Sequence, residues 1–201
     1  MENDFDIEGF IHKTPAELNP KAGQLLIAAP MMTDPNFSRS VVLILDSGHG
    51  GHMGLVLNRE LPANVDALVS DWPGGERIPL FNGGPVELDH LFLLHRLGSI
   101  IDGSTEILPG LYVGGNGDQL REFVASGADT DGLLRFYLGY SGWGEGQLTS
   151  EIMQRGWAIG CDTDARQLLT GSGESFWRRE VGNLGPDYRS WLNIPIHPIL
   201  N

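Results

Sequence analysis

Apolar residues recur along this chain in two rhythms. Short aliphatic runs bounded by glycine, proline, asparagine or aspartate predict strands over 25–29, 41–46, 53–58, 91–95, 111–113, 133–139 and 157–161. A 3.6-residue rhythm predicts helices where Val65, Leu68 and Val69 follow Asn64 as N-cap, and where Leu120, Phe123 and Val124 follow Asp118 in a first turn. Leu148 and Ile152 anchor a helix over 147–154, and shorter helices are predicted over 164–169 and 174–181. The loop Ser47-Gly48-His49-Gly50-Gly51-His52 joins the second and third strands as a hairpin. Strands outnumber helices and the one evident pairing is that hairpin. The pattern therefore predicts an α+β fold, not a doubly wound sheet.

Periodicity also divides the chain. Residues 1–22 carry Glu2, Asp4, Asp6 and Glu8 with little apolar rhythm, and read as an acidic flexible arm. Residues 23–191 read as a single domain. Residues 192–201, with Asn193-Ile194-Pro195-Ile196-His197-Pro198, read as an extended tail packed on the body or on a neighbour.

Composition narrows the classes. A chain of 201 residues with 41% hydrophobic and 19% charged content is globular in type. Its longest aliphatic run, Val41 to Leu45, falls far short of the ~20 residues of a membrane span. The acidic start is unlike a signal peptide. Cys161 is the only cysteine, which excludes an internal disulfide and points to the cytoplasm. Twenty-six acids against 13 bases leave a net charge of −13, which disfavours nucleic acid as a partner.

Five small segments raise the question of chemistry. Gly139-Tyr140-Ser141-Gly142-Trp143-Gly144-Glu145-Gly146 lies between a strand and a helix, so a tight corner is predicted there. Ser141 in that corner resembles a nucleophile elbow, but Trp143 stands where the second glycine belongs, and a packed serine is the rival reading. His49 and His52 could face zinc, yet no third ligand is near; a solvated hairpin tip is the alternative and no metal is expected. His90 and His95, five apart on a strand, face opposite ways. Tyr112-Val113-Gly114-Gly115-Asn116-Gly117-Asp118 faintly resembles a dinucleotide loop, but Leu120 fills the third small position and Asp118 opposes phosphate. A turn with a helix cap is predicted there, and no cofactor. Cys161, beside Asp162 and Asp164, reads as an unreactive core thiol.

Several motifs together resemble the AlgH/YqgE family of bacterial proteins. They are Gly23-Gln24-Leu25-Leu26-Ile27-Ala28-Ala29-Pro30 with Asp34-Pro35-Asn36-Phe37, then Gly54-Leu55-Val56-Leu57-Asn58-Arg59, then Phe81-Asn82-Gly83-Gly84-Pro85-Val86 and Leu94-His95. The glycine corner continuing through Gln147-Leu148-Thr149-Ser150-Glu151-Ile152, with Trp157 beyond, completes the set, and the resemblance covers roughly residues 23 to 182. Glu60 stands where the family pattern has proline, Ser141 where alanine is common, and the match loosens after Asp187. The resemblance implies antiparallel strands curled into a pseudo-barrel with helices outside. It implies no established activity. Some members are labelled transcriptional regulators on genetic grounds, and no helix-turn-helix signature is visible here.

The leading functional reading is a binding or regulatory module with a glycine-rich loop site for a small molecule or protein partner. Segments 82–84, 114–117 and 139–146 would converge at one end of the sheet. Candidate lining residues are Asn58, Arg59, Asn82, Gly83, Gly84, His95, Ser141, Gly142, Trp143, Gln147 and Glu151. Arg59 would pair with an anion, Trp143 would stack, and Asn58 and His95 would hydrogen-bond. Packing alone is the rival for the glycine and tryptophan clusters. A hydrolase or transferase using His95 with Glu151 or Asp89 is the alternative function. A direct DNA-binding regulator is the third, against the charge. The sequence assigns no oligomeric state.

Overall fold

The computed structural model describes residues 18–48, 50–160 and 164–195. The readings made for His49, Cys161, His197, residues 1–17 and the end of the tail lie outside the described residues.

Ten strands form one sheet: β1 (Leu25–Ala28), β2 (Val41–Gly48), β3 (Gly51–Val56), β4 (Glu60–Asn64), β5 (Pro79–Asn82), β6 (Val86–His95), β7 (Ser104–Leu108), β8 (Leu111–Gly114), β9 (Leu134–Trp143) and β10 (Trp157–Gly160). Among the described residues, four α-helices pack around it: α1 (Gly117–Ala125), α2 (Gln147–Met153), α3 (Ala165–Leu168) and α4 (Gly173–Asn183). The main path runs β10-β1-β2-β3-β9-β6-β8-β7, antiparallel throughout, with β5 added parallel to β9 and β4 paired to β5. A Cβ at Gly23, just before β1, would lie 2.8 Å from the carbonyl oxygen of Ile107 in β7. The sheet thus curls back on itself as a half-barrel, in agreement with the α+β pseudo-barrel expectation.

Both faces of the sheet are covered, which explains its unbroken apolar strands. Alternation along β1 sends Leu25 and Ile27 into one cluster with Phe176 and Trp177 of α4. Leu26 and Ala28 enter another with Leu148 and Ile152 of α2. A third cluster packs Leu120 and Val124 of α1 on Leu134 and Phe136 of β9. No helix among the described residues is long and apolar enough to cross a membrane.

Strand β9 connects the two halves of the sheet. Phe136 to Leu138 pair with β5 on one edge, and Ser141 to Trp143 pair with β3 farther along that edge. The strand therefore runs through much of the predicted corner, and the turn into α2 is left to Gly144, Glu145 and Gly146, the last at φ +73°. The helix predicted after Asn64 is a single 3-10 turn, Val65–Ala67. Asn64 does not cap it; its carboxamide donates to the Glu76 carbonyl at 2.7 Å. Val65 is buried in the third cluster but Leu68 is 48% exposed, so the stripe read from sequence meets the core for one turn only. Strands β4, β5 and β7 were not predicted: the first two contain proline and β7 is largely polar, so neither rhythm shows.

Candidate functional site

Two of the three glycine segments meet. Where β5 gives way to β3 along the edge of β9, Gly83 donates its N–H to the Leu138 carbonyl and accepts from Val56, both at 2.9 Å. A Cβ on Gly83 would sit 2.3 Å from the Gly139 carbonyl oxygen, and one on Gly84 2.3 Å from the Tyr140 carbonyl. Backbones approach here as only glycine allows. Ser141 is fully buried and donates its hydroxyl to the Gly83 carbonyl at 3.1 Å. It lies within a strand, so no exposed elbow forms. Asn82 closes the same junction, its side chain accepting from Gly84 N–H at 2.9 Å.

The third segment lies elsewhere, which corrects the expectation of one convergent site. Gly115 packs on Ile101 and Ser104, and Asn116 caps α1 by accepting from the Asp118 and Gln119 N–H groups. The turn-and-cap reading holds.

Asn58, Arg59 and His95 are engaged internally. Asn58 accepts from Val41 N–H at 3.0 Å and donates to the carbonyls of Arg39 and Gly173 at 2.9 Å each. Arg59 donates to the Ser38 carbonyl at 2.9 Å, and burial lowers its pKa against the opposing pull of Asp34. His95 is fully buried under Tyr112, with ring centroids 5.7 Å apart. Leu97 N–H donates to its Nδ1, so Nε2 carries the proton and donates to the Gly114 carbonyl at 3.0 Å. Burial pushes its pKa down, and the bond to Gly114 opposes that shift.

His95 pairs with Leu134 at one end of β9, while Glu151 is bonded to Trp143 at the other. Nine residue steps of strand, about 30 Å, separate them. Asp89 lies six residues up β6 with its side chain 90% exposed. Neither Glu151 nor Asp89 forms an acid–base pair with His95. His90 is exposed where His95 is buried, as the strand reading required. His52 departs from the solvated-tip reading: in register with Ser47 and Trp143 on its two sides, its ring nitrogens are buried without hydrogen-bond partners.

Gly142, Trp143, Gln147 and Glu151 do come together. They line a cleft of about 400 Å³ whose opposite wall is the loop from Ala29 to Phe37. At its base, Glu151 Oε2 accepts the indole N–H of Trp143 at 3.0 Å and of Trp157 at 2.8 Å. Its Oε1 accepts from the Gln147 carboxamide at 2.9 Å, and Gln147 in turn accepts from Gly144 N–H at 3.1 Å. Phe37 stacks on Trp143 (5.8 Å, 28°) and meets Trp157 edge-on (5.4 Å, 73°). Helix α2, the glycine turn and two strands are thereby fixed to one carboxylate.

Sequence reasoning missed Met31, Met32, Asp34, Phe37 and Trp157 as part of this constellation. The signal was present for three of them, because Asp34, Phe37 and Trp157 stand in the motifs that carried the resemblance. Among the described residues, no group of three or more His, Cys, Asp or Glu side chains could hold a metal ion.

Comparison with known proteins agrees with this architecture. The AlgH-like family matches residues 25–189. A UPF0301 protein of Parabacteroides distasonis is 39% identical over 183 residues, covering 90% of this chain and 92% of that protein. One from Chlorobium limicola is 36% identical over 201 residues, all of both chains. The solution structure of the AlgH protein from Pseudomonas aeruginosa superposes with a TM-score of 0.67 at 28% identity, covering 93% of this chain and 99% of that one. A crystal structure from Corynebacterium diphtheriae gives the same TM-score at 22% identity, covering 86% and 91%, and so shares the fold.

Proposed function

This chain belongs to the AlgH-like family, and from that premise we propose that it is a cytoplasmic binding or regulatory module. Its recognition site is the cleft between the Ala29-to-Phe37 loop and α2, carried by residues 23–191 as one folded unit. The observation that carries this reading is the preorganised base of the cleft, where one carboxylate holds two indoles and a carboxamide in place. A concave site that sets aromatic and thioether side chains beside convergent polar groups suits recognition of a small molecule or a protein segment. Met31, 62% exposed at the rim, adds an adaptable apolar lip. Binding is favoured over turnover because Glu151 and His95, the acid–base candidates, are held by separate partners at opposite ends of β9.

A fragment screen by 1H–15N NMR tests this directly. Hits should perturb the amides of Gly142, Trp143 and Gln147, and a Gln147→Ala variant should weaken them. A screen whose hits all map elsewhere, or that finds none at this cleft, overturns the reading.

A further inference from the structure

We propose that this cleft selects a cationic group, a guanidinium or ammonium carried on an apolar body; the proposal rests on the binding reading above. Glu151 presents its carboxylate at the base of the cleft, and among the described residues only neutral donors reach it: two indoles and one carboxamide. No ion pair among the described residues includes it. Dipoles orient this charge without neutralising it. Across the cleft, exposed Asp34 accepts the Asn36 N–H at 2.8 Å and likewise joins no ion pair among the described residues. The lining holds two carboxylates, Glu151 and Asp34, and one guanidinium, Arg155, which has contacts of its own. Arg59, outside the lining and bonded to the Ser38 carbonyl, interacts electrostatically with Asp34, which leaves Glu151 as the carboxylate that selects the cation.

The walls suit the same ligand. The half-buried ring of Phe37 offers π-density to a cation, and the thioethers of Met31 and Met32 offer polarisable contact to its apolar stem. A net charge of −13 raises the local concentration of cations and speeds their encounter. An anion meets the reverse of each term. A neutral ligand gains nothing from Glu151 beyond a hydrogen bond. A free organic amine and an arginine or lysine side chain of another protein present this chemistry equally.

The indoles themselves report the outcome. Of the five tryptophans, Trp143 and Trp157 donate to Glu151, so their side-chain N–H resonances should move when a cation reaches that carboxylate. Trp72, packed on Phe136 in a different cluster, is the internal control. Titrating the full chain with n-butylguanidinium should shift the first two saturably and leave the third still. Its neutral isostere n-butylurea should bind about tenfold more weakly or worse, and added salt should weaken the cation. Acetyl-Leu-Arg-Leu-amide separates the sources: binding about tenfold tighter than n-butylguanidinium assigns a protein segment, and equal or weaker binding assigns a free cation. Glu151→Gln should abolish the shifts. If that variant does not fold, Asp34→Asn, on an exposed loop, should weaken n-butylguanidinium by about threefold. Equal binding of n-butylurea, or shifts confined to Trp72 and distant amides, overturns the cation assignment. Neutral fragments that still perturb Gly142 and Gln147 would leave the binding module standing and sink only its selectivity.

Discussion

Ser141 donates its hydroxyl to the Gly83 carbonyl at 3.1 Å and so joins β9 to the turn after β5. That carbonyl also accepts the Val56 N–H at 2.9 Å, so losing the hydroxyl leaves no orphaned acceptor. Ser141→Ala should therefore cost only about 1 kcal/mol. Gly83→Ala is a different event. Its Cβ would meet the Gly139 carbonyl oxygen at 2.3 Å and Leu55 Cδ2 at 2.7 Å, and paired strands cannot yield separately. A loss of about 3 kcal/mol or more is expected. Urea unfolding of the two variants should rank them in that order; the opposite order would show that the junction is not close-packed.

Asn58 makes the second prediction. One buried carboxamide satisfies Val41 N–H and the carbonyls of Arg39 and Gly173, tying β2 to the start of α4. Asn58→Ala removes three bonds to backbone groups at a site 3% exposed, and should cost about 3 kcal/mol or more. Asn58→Asp should be no better, because the oxygen replacing Nδ2 would face two carbonyls. Thermal melts of both variants check this, and a melting temperature near that of the unaltered chain for either would refute the clamp.

How far the sequence could be read follows from the same residues. Strands β1 and β2 were legible because both faces are buried, leaving uninterrupted Leu25 to Ala28 and Val41 to Ile44. Helices α1 and α2 were legible from Leu120 and Val124, and from Leu148 and Ile152, each pair four apart on one face. Strands β4, β5 and β7 were not, since their pairing is set by long-range neighbours and not by their own pattern. At the site, glycine density was read as a loop that opens to a ligand. Gly83, Gly84 and Gly139 instead mark backbones in contact, and a lone sequence cannot separate those two uses of a missing side chain. The cleft needed Phe37 and Trp143 brought together across more than a hundred residues.

His95 supplies a pH prediction. Its pKa is lowered in the fold, chiefly by burial, so below the ordinary value near 6.5 the unfolded chain takes up a proton that the native chain refuses. Stability contributed by this site is thus intact above that value and declines as pH falls below it. The decline approaches about 1.4 kcal/mol per pH unit until the native ring protonates. His95→Gln, whose carboxamide can still donate to Gly114, should flatten the profile between pH 7 and 5. Parallel urea titrations of both chains isolate the difference, and identical slopes would exclude a neutral buried imidazole.

The Glu151 network gives the last prediction, with a ranking as its test. Trp143 and Trp157 are 4% and 2% exposed, so their indole N–H groups have little water to fall back on. Glu151→Ala orphans both and empties the base of the cleft, at a cost of about 2–4 kcal/mol. Glu151→Gln keeps one oxygen for the indoles. Its new N–H2 group then meets Gln147, which can rotate its carboxamide to accept, at the expense of its bond to Gly144 N–H. The glutamine variant should therefore fall between the unaltered chain and the alanine variant, about 1–2 kcal/mol below the former. Tryptophan emission should move to longer wavelength in the alanine variant as water reaches the indoles, and move less in the glutamine variant. An alanine variant as stable as the unaltered chain, with unchanged emission, would mean that aromatic stacking with Phe37 alone holds the cleft and that the carboxylate serves only what binds there.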